Sequence, residues 1–392
     1  MRPEHYKNRE QTYVKHFVLN YYLETVAFHI GFVQPDFVYV DCFSGPWHNN
    51  DTNEFADTSI RIALDKLNYV ANGLKEQRRR PRMRAIFVEE NPTAYSVLTT
   101  ALERHRGTVD TVALPGTFEE NIPKILDIIG KSFGFFFVDP KGWTGFDMDI
   151  LRPVLNHQPA EVLINFMFDF VNRAVNWSNE SNEASFDRCF GMDDWRTVRV
   201  LKKREREEHC VQLYQEQLRR TGPFNYVTST RILKPLQDRA YFHLIYATRN
   251  IKGLIKFREV EARASEEQDR VRTTAQEQRR DERSGQGRLG FEDLGAAAFS
   301  QGLRRDRDEQ YQRAKGMLYD LLEEGAQPYD TLIPHLLRER HITQRILNGL
   351  ILEGKERGIL GVDFKPRQRV PRSGDVVRLI DGNPRMGDPS TS

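Results

Sequence analysis

The stretch that decides the fold is "FFFVDPKGW", Phe135 to Trp143. Four large apolar residues end abruptly in a carboxylate, and Pro140, Lys141, Gly142 and Trp143 follow. A core strand closed by a turn explains the apolar run. An acid placed at its very end suggests something more, the rim of a site. The segments on either side decide between the two.

The same pattern recurs outward from this point. "DFVYVDCFSG", "AIFVEENP", "TVDTVALPGTF" and "AEVLINFMFDF" are short runs rich in β-branched and aromatic residues, which predicts buried strands with turns at their ends. Between them "TSIRIALDKLNYVANGL", "TAYSVLTTALERH", "EENIPKILDIIG" and "MDILRPVLN" show helical spacing, the first with Thr58 or Ser59 as its cap. An earlier amphipathic helix is expected over 12–30, stopped by Gly31. Strands apolar on both faces that alternate with helices predict a doubly wound, Rossmann-like α/β sheet, parallel and covered on both sides. Such sheets place ligands beyond the carboxyl ends of their strands.

Residues 171–221 break the rhythm and read as an insertion or lid with its own helices. "YVTSTRILKP" returns to a strand, and "FHLIYATRN" with "GLIKFREV" reads as a terminal antiparallel hairpin turning at Asn250–Gly253. A first domain over 1–260 is expected, then a charged linker over 261–309 with few apolar positions. Residues 310–385 predict three helices and two strands, "ILGVDF" and "DVVRLI", the arrangement of a winged helix-turn-helix. Its wing, "KPRQRVPRSG", carries Lys365, Arg367, Arg369 and Arg372. These charges suit DNA or RNA phosphates. A protein-docking domain with a solvated loop is the competing reading.

Composition bounds the function. Of the 392 residues 29% are charged, yet the net charge is only +2, so any nucleic-acid surface has to be local. No segment approaches the roughly 20 apolar residues of a membrane span, and the charged opening lacks an apolar signal core. Cys42, Cys189 and Cys210 form no CxxC pair, which suits reduced thiols in a cytoplasmic protein. His16, His48, His105 and His157 are scattered, so no metal site is expected and a nuclease finds no support. No GxxxxGK[ST] is present, which argues against a P-loop, and "DCFSG" has one glycine, short of the GxGxxG fingerprint.

The strand ends form an ordered set. Asp41-Cys42-Phe43-Ser44-Gly45 follows the first, Glu89-Glu90-Asn91 the second, Pro115-Gly116-Thr117 the third and Asp139-Pro140 the fourth. An adenosine-type cofactor explains it. A glycine permits close backbone approach, and a carboxylate after the second strand accepts ribose hydroxyls. The third turn borders the adenine, and the fourth strand end faces the reacting group.

These segments resemble the S-adenosylmethionine (SAM)-dependent methyltransferases. "YVDCFSG" is similar to their first motif and "FVEENP" to their second. The resemblance implies SAM as cofactor, held by Asp41, Phe43, Ser44, Gly45, Glu89, Gly116 and Thr117, with Glu89 on the ribose. It also implies a catalytic rim of Asp139, Pro140 and Trp143. "DPKGW" departs from the [DNS]PP[YFW] of amino-methylating enzymes, because Lys141 replaces the second proline and Trp143 comes one position late. Gly45-Pro46-Trp47 stands where many methyltransferases have a second glycine. Asn165, Asp169 and Arg173 are candidates to line the acceptor pocket, or else form a polar strand end and a solvated helix start.

A narrower resemblance runs through most of the chain. "KHFVLNYYL", "YVDCFSGPW", "FVEENP", "FFFVDPKGW", "VLINFMFDFVNR" and "YFHLIYATRNIKGL" occur in the order seen in the three-Cys-motif partner (TcmP) proteins. That family implies a partner bearing a three-cysteine motif. Two functions stay open: methyl transfer to nucleic acid or a nucleic-acid-associated substrate, and a non-catalytic module that binds the partner with the winged helix as adaptor.

Overall fold

The computed structural model describes residues 2–45, 58–105, 107–140, 142, 147–177, 179–191, 194–284 and 292–380. The chain divides into two compact units, Met1–Leu289 and Gly290–Ser392.

The first unit opens with α1 (Glu10–Val33), β1 (Asp36–Asp41) and α2 (Ser59–Glu76). Then come β2 (Arg82–Glu89), α3 (Pro92–Arg104), β3 (Asp110–Pro115), α4 (Phe118–Ile129), β4 (Phe133–Val138), α5 (Met148–Asn156) and β5 (Ala160–Phe166). Helices α6 (Phe168–Ala174), α7 (Glu180–Phe190) and α8 (Lys203–Thr221) follow, then β6 (Tyr226–Leu233), β7 (Ala240–Thr248) and α9 (Ile251–Ser284). The seven strands form one sheet in the order β3-β2-β1-β4-β5-β7-β6. Strands β1 to β5 run parallel, and β7 is antiparallel to both β5 and β6. This is a mixed α/β unit with a large, mostly parallel, Rossmann-like sheet.

Alternation along each strand divides the core. Val38, Val40, Phe136 and Val138 pack with residues of α4, α5, α7 and α8 on one face. Phe37, Tyr39, Phe135 and Phe137 pack with α1, α2 and α9 on the other. Both faces are thus buried, which is why these strands read as unbroken apolar runs.

Three expectations need correction. Gly31 does not stop α1; it lies inside the helix, where a Cβ would come within 2.8 Å of Leu74 and 2.9 Å of Met83, so its role is close packing. "GLIKFREV" is not a strand, because it belongs to α9. The antiparallel pair is β6 with β7, and α9 is fastened to β6 by buried Arg258, which donates to Glu261 and Thr228. Residues 261–284 are not an extended linker either. They continue α9, with Ala264 and Val271 buried and Glu267 accepting from the Tyr13 hydroxyl of α1 at 2.6 Å. Within 171–221, Phe186, Phe190, Trp195 and Tyr214 are fully buried in the sheet's core, so these helices complete that layer.

The second unit holds α10 (Glu292–Glu323), β8 (Gln327–Pro328), α11 (Tyr329–Glu339), α12 (Gln344–Glu356), β9 (Leu360–Val362) and β10 (Val376–Leu379). Its strands form a separate antiparallel sheet, β8-β10-β9. Leu318, Leu336, Leu347, Ile351 and Val377 are buried in it. Among the described residues no helix is long and apolar enough to cross a membrane.

Candidate functional site

The carboxyl ends of β1, β2 and β4 bring three acids to one edge of the sheet. Asp41 ends β1 and is completely buried. It accepts from the Phe43 N–H at 3.3 Å and from the Tyr39 hydroxyl at 3.4 Å, and the Ser59 side chain at the start of α2 bonds to it. Burial pushes its carboxyl up to about 7. The Ser59 bond opposes that rise, and the nearby Asp139 charge adds to it.

Beyond Asp41 the chain stays laced to its neighbours. The Cys42 N–H donates to Phe137 O at 3.0 Å and the Ser44 N–H to Val88 O at 2.8 Å. The Ser44 hydroxyl turns back to Asp41 O at 3.1 Å, and Phe43 packs on Phe118 with ring centroids 5.7 Å apart. Glu89 closes β2, nearly buried, and its Oε1 accepts from the Asn91 N–H at 2.7 Å. A Cβ on Gly45 would stand 1.8 Å from Glu89 Oε2. Only glycine fits there while the carboxylate keeps its place. Gly116 adopts φ +97°, a left-handed conformation that favours glycine, and its N–H donates to Glu89 O at 3.1 Å. Thr117 caps α4 in a capping box with Glu120, so its hydroxyl already serves the helix.

Asp139 follows β4 directly. Its Oδ2 takes the Lys15 ammonium at 2.5 Å, and its Oδ1 accepts from Asn165 Nδ2 at 2.6 Å. Lys15 comes from α1 and lies 5.9 Å over the Phe242 ring. The Asn165 amide also points Nδ2 at Met167 Sδ, at 3.2 Å. Both neighbours accept, which fixes the orientation of the amide. Its Oδ1 is consequently buried without a hydrogen-bond partner. Pro140 is buried behind Asp139.

Other candidates are placed differently. Asp169 is paired with Lys234 at 2.7 Å, and Arg173 is exposed, stacked on Phe170 at 4.5 Å. Neither makes a described contact with Asp139. Trp143 lies outside the described residues. Lys365, Arg367, Arg369 and Arg372 are all exposed on the 363–375 loop of the second unit, and among the described residues none of the four is held in an ion pair. That loop is pinned by Asp375, which accepts from the Arg372 N–H at 2.7 Å, and by Asp330, which accepts from the Gly374 N–H at 2.9 Å.

Lys15 and Ser59 are the site residues that pattern reading missed as such. The one signal for Lys15 is a lysine inside the apolar "YVKHFV" of α1, which by itself suggests a snorkelling side chain. Cys42, Cys189 and Cys210 are free and buried. No group of three or more metal-type ligands occurs among the described residues.

No protein-family model and no curated protein matches the chain. Two solved structures show a distant likeness. One is a Legionella pneumophila protein of the DUF519 family, 10% identical with a TM-score of 0.32, covering 60% of this chain and 85% of its own. The other is a loganic acid methyltransferase with SAH, 9% identical with a TM-score of 0.30, covering 67% and 83%.

Proposed function

We propose that the first unit is a SAM-dependent methyltransferase acting on nucleic acid or a nucleic-acid-associated substrate. The observation that carries this is the convergence of Asp41, Gly45, Glu89 and Asp139 at adjacent carboxyl strand ends. The donor set fits the cofactor: three carboxylates, opposed there by Lys15, suit a cationic sulfonium and an amine, and Glu89 beside Gly45 suits ribose hydroxyls. SAM, when bound, supplies an activated methyl group, so the protein's task is alignment and exclusion of water. Glu89 would hold the ribose, and Asp41 would hold the loop through Phe43. Asp139, steadied by Lys15, and Asn165 Oδ1 offer acceptors to an incoming N–H or O–H. The second unit would act as a winged helix, with its four exposed cations against phosphates.

Calorimetry with SAM tests the cofactor site. The intact chain is expected to bind, and Gly45→Ala, whose new methyl must displace Glu89, to bind about tenfold to a hundredfold more weakly with its circular dichroism unchanged. No binding by the parent, or equal binding by the variant, rejects the site. Transfer of labelled methyl to DNA, RNA or protein then identifies the acceptor.

A second reading keeps the fold as a non-catalytic module that works with a three-Cys-motif protein. The engagement of both Asp139 oxygens, by Lys15 and by Asn165, favours it. SAM binding without methyl transfer to any of the three acceptor classes would select it.

A further inference from the structure

A cavity of about 300 Å³ opens between the first turn of α1, the β6–β7 turn and the last turns of α9. Its walls are built. Arg272 of α9 donates to the carbonyls of Lys234 and Gln237, each at 3.1 Å, and Gln276 donates to that of Pro235 at 3.2 Å.

Two lining residues carry an unusual feature. Glu10 Oε1 accepts from the Asn8 N–H at 3.0 Å, but Glu10 Oε2 is buried with no partner. The next residue, Gln11, likewise has Oε1 buried with no partner. Native proteins rarely leave buried acceptors unmatched, because the lost hydration is not recovered. Two such oxygens on adjacent residues of one cavity call for a ligand with two N–H donors.

The charges narrow the class. Lys7, Lys234 and Arg279 also line the cavity, and Lys7 and Arg279 share Glu282 at 3.5 Å each. A cationic ligand would meet three like charges. Tyr241 supplies an aromatic surface. A neutral, planar ligand with adjacent donors next to an acceptor fits all of this. Among nucleobases the Watson–Crick edge of guanine alone presents N1–H and the 2-amino group side by side, next to the O6 acceptor. Adenine, cytosine and uracil alternate donor and acceptor.

We propose that this cavity binds a guanine base, with Glu10 and Gln11 accepting from its two donors. Three links tie it to the Asp139 centre. Gln11 lies one helical turn before Lys15. Tyr241 precedes Phe242, which lies under the Lys15 ammonium, and Lys234 is the partner of Asp169. A strand seated in the cavity would bring a neighbouring nucleotide toward Asp139, so the guanine is the flanking base that sets sequence context. This last role rests on the methyl-transfer reading; the binding of guanine does not.

The test is calorimetry of the full chain with GMP, IMP and AMP. GMP is expected to bind at least tenfold tighter than AMP, with IMP, which lacks the 2-amino donor, about tenfold weaker than GMP. Gln11→Leu is expected to abolish the preference without lowering the ligand-free melting temperature, since it removes an unmatched acceptor. No GMP binding, or equal affinity for GMP and either analogue, overturns the proposal. So does a Gln11→Leu protein that melts lower without ligand, since the amide would then be structural. SAM calorimetry on the same sample separates the two sites: loss of SAM binding with the GMP preference intact rejects only the cofactor reading.

Discussion

Lys15 on α1 sets its ammonium 2.5 Å from Asp139 Oδ2, a residue 124 positions further along the chain. Both side chains are largely shielded, 11% and 17% exposed. Breaking such a pair leaves a carboxylate without its cation and costs about 3 kcal/mol. Lys15→Met is therefore expected to lower stability by roughly that amount and to slow methyl transfer about a hundredfold through misplacement of Asp139. The loss should fall on kcat, with SAM affinity unchanged and partial rescue in Lys15→Arg. A fall in SAM affinity equal to the fall in kcat would place Lys15 in cofactor binding.

Asp41 predicts an unusual pH dependence. Its folded value of about 7 lies above the ordinary 3.8, chiefly through burial. A carboxyl raised in this way binds its proton more tightly when folded. Its contribution is fully present below about pH 4 and is lost as the pH rises through 7. The difference is on the order of 4 kcal/mol at pH 8. Asp41→Asn should match the parent near pH 4 and exceed it at pH 8 in urea unfolding. Parallel stability curves for parent and variant would contradict the assignment.

The strands were legible because burial on both faces leaves continuous apolar runs, such as Phe133–Val138. The strand-end acids were legible for the same reason, since a carboxylate stands out against such a run. Helix α9 was not. Leu254, Ile255, Phe257 and Val260 have the composition of a strand, but Leu254, Phe257, Val260, Glu261 and Ala264 repeat at helical spacing and are all buried. What fixes that helix is long-range: Arg258 reaches Thr228, and Thr230 reaches Glu261 at 2.7 Å, both across to β6. Lys15 was hidden for a related reason. Its partner is distant in sequence, and nothing local to "YVKHF" announces it.

That fastening of α9 has a measurable consequence. Arg258 is 1% exposed, and its guanidinium is shared between Glu261 and Thr228. Arg258→Met is expected to destabilise the chain by about 3–5 kcal/mol, because Glu261 stays buried as an unmatched carboxylate. The double variant Arg258→Met/Glu261→Met removes both charges and should recover most of the loss. Additive losses in urea unfolding would mean that the two residues act independently.

The 363–375 loop offers a separate test of its role. Lys365, Arg367, Arg369 and Arg372 are exposed, while the backbone beneath them is held by Asp330 and Asp375. Side-chain substitutions there should leave the loop in place. If these cations sit on phosphates, each releases about one condensed counterion on binding. The triple variant Lys365→Ala, Arg367→Ala, Arg369→Ala should then weaken DNA or RNA binding for every sequence alike. Its plot of log affinity against log salt should be shallower by about three units. A weaker complex with an unchanged slope would point away from phosphates and toward docking on a protein, the role that an adaptor for a three-Cys-motif partner would need.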